Sequence, residues 1–116
     1  MIHVYHNGLD FVATNNDYFD GEWHHFALVL NRSANLTSYI DGNLENSVQA
    51  LPYKELGGSG LYLGARGYYT GIVENFDNYF NGLIDEFRLW NTARTYEQIA
   101  RDKQNRMLGT EMGLRM

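Results

Sequence analysis

Four groups of side chains in this sequence could do chemistry: His24-His25, Asp85-Glu86, the acidic pair Glu74 and Asp77, and the rings Tyr68, Tyr69, Phe76 and Tyr79. Adjacent residues on an extended strand point to opposite faces, so His24 and His25 cannot chelate one ion together. One imidazole is expected to face the core and to bond a backbone carbonyl or a carboxylate such as Asp85. His3 and His6 also fall on opposite faces, with no third ligand nearby. Paired-carboxylate hydrolysis of a glycoside needs two acids on a shared face, separated by about 5–10 Å. Asp85 and Glu86 are neighbours that point apart, and position 88 is Arg, so Glu86 and Arg88 read as a surface ion pair. With no coherent acid/base pair, the chain is expected not to be an enzyme. Gly57-Gly58-Ser59-Gly60 lacks a following Gly-Lys-Ser/Thr and reads as a turn. No G-x-S-x-G or H-E-x-x-H pattern occurs.

The aromatic group is the better candidate. Residues Ala65 to Asn81 read as a 17-residue irregular connection holding Tyr68, Tyr69, Phe76, Tyr79, Phe80 and Asn75. Long unstructured connections usually carry function or move. Sugars stack their C–H faces on aromatic rings while Asn and Asp side chains take the hydroxyls. Aromatic rings also serve protein interfaces, and they can fold back onto their own sheet. All three uses fit this segment, and Tyr68, Tyr69, Phe76 and Tyr79 are the ligand-binding candidates. Calcium needs about six to eight oxygens, and Glu74 and Asp77, helped by Asn75 and carbonyls, are the metal candidates. No other cofactor is expected.

Strands must position these groups. Ile2–His6 and Leu9–Thr14 alternate apolar and polar residues around Asn7-Gly8, a strong hairpin signal. Trp23–Asn31 reads as a strand apolar on both faces, hence inside a sandwich. Leu36–Asp41 returns, and Asp41-Gly42 turns into Leu44–Val48, completing a three-strand antiparallel meander. Leu61–Gly64 and Gly82–Trp90 read as further strands. Thr95 with Gln98 three residues on is a capping box, predicting a helix over 96–106 with Arg101 and Asp102 facing solvent. The tail from Met107 reads as a short strand or frayed coil.

The chain's 116 residues suffice for one domain. Nine Lys and Arg against 14 Asp and Glu leave a net charge of −5, which disfavours nucleic acid or a polybasic membrane contact. The longest apolar run, Phe26–Leu30, cannot span a bilayer. No cationic segment followed by an apolar one opens the sequence, so no signal peptide is visible. The absence of cysteine excludes disulfides and thiolate metal sites.

The order of segments resembles a known family. Trp23-His24-His25-Phe26-Ala27-Leu28-Val29, Tyr39-Ile40-Asp41-Gly42, Leu61-Tyr62-Leu63-Gly64, Phe80-Asn81-Gly82-Leu83-Ile84-Asp85-Glu86-Phe87-Arg88-Leu89-Trp90 and Thr92–Ile99 are similar, in that order, to motifs of the laminin G-like, concanavalin A-like jelly rolls, whose layout the pentraxins share. The resemblance implies an all-β, antiparallel two-sheet sandwich (jelly roll) with one short helix near 96–106, as a single domain over residues 1–116. It also implies an extracellular or cell-surface binding module for carbohydrate or an extracellular protein, acting through loops at the sandwich rim. Where the pentraxin-like layout places an acidic calcium loop, this chain has Ala65-Arg66-Gly67-Tyr68-Tyr69. The chain matches about the C-terminal two-thirds of such a domain. Uncovered edges or apolar surface are therefore expected, and a homo-oligomer is the simplest cover, so the alternative function is structural self-association.

Overall fold

The computed structural model describes residues 1–6, 9–31, 35–49, 61–105 and 114–115. The chain is mostly antiparallel strand in several sheets with one short helix, as an all-β sandwich requires. It forms two compact units, Met1–Lys54 with Arg88–Met116, and Glu55–Phe87.

In the first unit, β1 (His3–His6) pairs with β2 (Leu9–Val12), joining His6 to Leu9 across the expected Asn7-Gly8 turn, whose residues lie outside the described ones. Ile2 and Ala13 extend this ladder with a 2.7 Å backbone bond. The meander follows as β3 (Phe26–Leu30), β4 (Asn35–Ile40) and β5 (Asn43–Gln49), in that spatial order. Its β4–β5 turn needs two left-handed residues, Asp41 at φ 51° and Gly42 at φ 82°, the Asp-Gly signature of a type I′ hairpin. Leu36, Ser38 and Ile40 line the buried face of β4, and the β1–β2 hairpin covers it. Phe11, Ala13 and Leu36 form the core, with Ile2, Val4, Leu30 and Val48 packed around them. Polar ties lock the two layers: Ser38 Oγ donates to Ala13 O at 2.5 Å, and Asn46 Nδ2 donates to Val12 O at 2.8 Å.

The strand expected over Trp23–Asn31 begins only at Phe26 and is an edge strand, not an interior one. Cross-strand register puts Phe26 and Leu28 on the same face as Ile40 and Ser38. Phe26 and Leu28 nevertheless remain 36% and 39% exposed.

The helix α1 spans Tyr96–Asp102, ending before the expected position 106. Its capping box is formed: Thr95 Oγ1 accepts from Gln98 N, and Gln98 Oε1 accepts from Thr95 N. Tyr96 meets Tyr39 on the sheet's other face, with ring centroids 6.4 Å apart. Asp102 is buried, not solvent-facing as expected, because Arg94 and Arg101 close on its carboxylate. Burial works to raise its pKa, but the hydrogen bonds from Arg101 and Arg94 outweigh it and hold the carboxyl below the usual range. Arg94 in turn lies 3.9 Å above the Trp90 ring. Arg88 donates to the carbonyls of Asp102 and Asn105 at the helix end.

Two further strands take a different form from the one expected. Gly82–Trp90 is not a continuous strand; only Leu89–Trp90 (β8) pairs, with the tail strand Leu114–Arg115 (β9). The break is at Glu86, whose φ of 52° is left-handed and whose N–H is held by Asp85 Oδ1 at 2.7 Å. In the second unit, Leu61–Gly64 joins no ladder among the described residues; the segment bends at Leu63 and Gly64, with Gly64 at a left-handed φ of 81°. The connection Ala65–Asn81, expected to be irregular, folds as an antiparallel hairpin of β6 (Arg66–Thr70) and β7 (Val73–Asp77). Pairing of Thr70 with Val73 leaves a two-residue turn at Gly71-Ile72, with Gly71 at φ 65°.

Candidate aromatic site on the β6–β7 hairpin

The hairpin sorts its aromatic residues by strand parity. Gly67 opposes Phe76, and Tyr69 opposes Glu74, so these four share one face. Arg66, Tyr68, Asn75 and Asp77 share the other. Tyr68 and Tyr69 therefore point apart and cannot grip one ligand from the same side. Tyr79 follows the strand and donates from its hydroxyl to Phe76 O at 3.3 Å.

The face carrying Glu74 also holds the Tyr62 ring, from the segment expected as a short strand. Tyr62 lies across Gly67: a Cβ built there would fall 2.8 Å from Tyr62 Cδ2 and Cε2. Only glycine leaves that space. Tyr62 meets Phe76 edge-on, with centroids 5.2 Å apart and planes at 79°. The Tyr62 hydroxyl donates to Glu74 Oε1, and Tyr69 Oη donates to the same oxygen at 3.2 Å. The bond to Glu74 pushes the Tyr62 phenol up to about 12, so it remains a donor throughout the neutral range. The result is a strip of three partly exposed rings, Tyr62 at 36%, Phe76 at 40% and Tyr69 at 51%, around one carboxylate. Glycine opposite a ring was the available sequence signal for Tyr62, but it is visible only once the hairpin register is known.

The opposite face is closed on itself. Arg66 pairs with Asp77 across the strands through Nε at 2.7 Å and through Nη2, and lies 5.4 Å from the Tyr68 ring centroid. The Arg66 hydrogen bond lowers the pKa of Asp77. Asn75 Nδ2 donates to Thr70 Oγ1 and Val73 O. The structure thus does not bring the metal candidates together: Glu74 serves two tyrosines on one face and Asp77 an arginine on the other. These residues do not fit a calcium site, and among the described residues no group of three His, Asp or Glu side chains is placed to hold a metal.

The histidines have a structural setting in the first unit. His24 Nδ1 is 2.7 Å from Asp41 Oδ2, and Nε2 is 3.1 Å from Asp20 Oδ1, so the carboxylate partner is not Asp85. Hydrogen bonds to Asp41 and then Asp20 raise the pKa of His24. Asp41 also accepts from His25 N at 2.8 Å, and its carbonyl accepts from Lys103 Nζ at 2.7 Å. Burial opposes ionisation of Asp41, but the bonds from His24 and His25 outweigh it, and the net shift is downward. Burial lowers the pKa of His25, with the Arg88 charge acting in the same direction. Glu45 gathers the loop between β2 and β3 by accepting from Asn15 N, Asn16 N and Tyr18 Oη. Asp85 and Glu86 are exposed in the unpaired stretch before β8 and form no paired-acid site among the described residues.

A model of the concanavalin A-like lectin/glucanases superfamily matches residues 1–100, and the chain belongs to that family. A solved structure with which it shares the fold is an S-layer domain-containing protein (residues 221–444) from Clostridium thermocellum ATCC 27405, with a TM-score of 0.60 and 26% identity. That alignment covers 78% of this chain and 43% of the other, so the chain spans less than half of that structure's length. No curated protein matches the sequence. Among the described residues, no helix is long and apolar enough to cross a membrane.

Proposed function

We propose that this chain is a non-catalytic carbohydrate-binding module of an extracellular or cell-surface protein, and that the Tyr62–Tyr69–Phe76 strip around Glu74 is its binding face. One observation carries the reading: three partly exposed rings share a face with a carboxylate already oriented by two of them. Rings take the C–H face of a sugar, and a fixed acceptor takes its hydroxyls. Orientation before binding lowers the entropic cost of association. The family supports a binding role, and the S-layer domain-containing neighbour supports a surface setting. Fold alone does not assign a ligand, so the site carries the argument. Affinity electrophoresis against a polysaccharide panel tests it. Retention of the wild type and its loss in Tyr69→Ala supports the reading; no retention on any polysaccharide removes it.

A second reading has its own observation. Phe26 and Leu28 lie on the inner sheet face yet stay partly exposed at an edge strand. Burial of this apolar edge against a second copy would support an assembly role. Light scattering decides: a monomer near 13.4 kDa at all concentrations removes it.

A further inference from the structure

The polar chemistry of the aromatic strip is one-sided. Tyr62 Oη and Tyr69 Oη are both spent as donors on Glu74 Oε1. Phe76 has no polar atom, and Gly67 has no side chain. Tyr79 Oη donates to a backbone carbonyl. The hairpin's other side-chain donors, Arg66, Tyr68, Thr70 and Asn75, lie on the opposite face, where Arg66 and Asn75 are engaged. What remains on the strip is acceptor capacity: Glu74 Oε2 has no hydrogen-bond partner among the described residues, and an ionised carboxylate only accepts. A ligand seated here must bring the donors.

The strongest donor a sugar can bring is an ammonium. It would form a charge-assisted bond to Glu74 and lie against tyrosine faces that attract cations. A uronic acid or sulfated sugar would set a second anion beside Glu74, on a protein whose net charge is already −5. N-acetylation removes the charge and adds a carbonyl for which the strip offers no side-chain donor. We propose that the strip selects glycans carrying free-amine hexosamine, in preference to neutral, N-acetylated and acidic ones. This rests on the carbohydrate-binding reading above and narrows it.

The test is a set of NMR titrations of the whole chain, at mildly acidic pH where the sugar amine is protonated. The probes are β-1,4-linked tetramers of glucosamine, glucose and N-acetylglucosamine. The glucosamine tetramer is expected to bind about three- to thirtyfold more tightly than the glucose tetramer, from one exposed ion pair plus cation–π contact. Glu74→Gln keeps the acceptor for both tyrosines and removes the charge, so it should erase that preference, leaving the glucosamine and glucose tetramers bound alike. Glu97→Gln, an exposed helix position, makes the same change in net charge and should leave the preference intact. Equal affinity for the three tetramers, tighter binding of the N-acetylated one, or equal loss in both variants overturns the inference while leaving carbohydrate binding standing. No response to any tetramer overturns both.

Discussion

Gly67→Ala tests whether a missing side chain builds the aromatic strip. The added Cβ would lie 2.8 Å from two Tyr62 ring carbons and 3.3 Å from Phe76 Cε1. Carbon pairs rest at about 3.5–4.0 Å, so Tyr62 must retreat by about 0.7–1.2 Å or swing away. Either motion draws its hydroxyl from Glu74 and opens the edge contact with Phe76. Folding stability should change little. Gly67 is not at positive φ, so alanine gains about 0.4–1 kcal/mol through the unfolded chain. Loss of the Tyr62–Phe76 contact costs about 0.5–1.5 kcal/mol. The two nearly cancel, and the urea midpoint should barely move. The site should change clearly. The Tyr62 phenol, raised to about 12 in the wild type, should fall toward its ordinary value of 10.0 when its ring carbon is followed by NMR against pH. Affinity for a retained glycan should fall about tenfold, as about 1–1.5 kcal/mol of stacking is lost. A variant that keeps the phenol near 12 and binds undiminished would refute the claim that the gap at Gly67 seats Tyr62.

Two further outcomes concern the first unit. The raised pKa of His24 means that its contribution to stability is fully present below pH 6.5, the ordinary imidazole value, and is lost as pH rises through the higher folded value. His25, depressed by burial, works in the opposite direction, so the His24 effect is read as the difference between wild type and His24→Gln. The wild-type advantage in urea midpoint should shrink between pH 5.5 and 8.5; a constant difference would show that His24 is not a charged bridge between Asp20 and Asp41. Ile40 is 2% exposed at the end of the sheet's central strand, so Ile40→Ala should cost about 2–5 kcal/mol by urea unfolding. A cost below 1 kcal/mol would mean that this face of β4 is not packed.

The meander, the Asp41-Gly42 turn and the capping box were readable because each depends on local rules: alternation, a left-handed turn pair, a Thr–Gln spacing. The β6–β7 hairpin was not. Aromatic and polar residues occur on both of its faces, so period-two alternation has no apolar–polar contrast to reveal. Its register is instead marked by Arg66 opposite Asp77 and by Gly67 opposite Phe76, pairs separated by eleven and nine positions in sequence. The strand expected over Gly82–Trp90 fails at Glu86, whose N–H donates to the Asp85 side chain and whose left-handed φ interrupts the extended backbone. The role of His24 was half visible. The strand expected from Trp23 starts only at Phe26, so strand parity does not place His24 and His25, and naming Asp41 and Asp20 as the partners of His24 required the fold of the loop before β3.

The same register separates the two proposed interactions by chemistry. Phe26 and Leu28 offer apolar surface along a backbone edge, which suits another polypeptide able to add strand or side-chain cover. The Tyr62–Tyr69–Phe76 strip couples ring faces to a lone carboxylate whose neighbouring donors are already spent. An apolar protein surface laid on it would bury Glu74 without a new partner, at the cost of desolvating a charge. A hydroxyl- or ammonium-bearing ligand avoids that cost by bringing the missing donors. Substituting Leu28 should therefore alter association without altering glycan affinity, and substituting Glu74 should do the reverse. Joint loss of both properties in either variant would contradict this division.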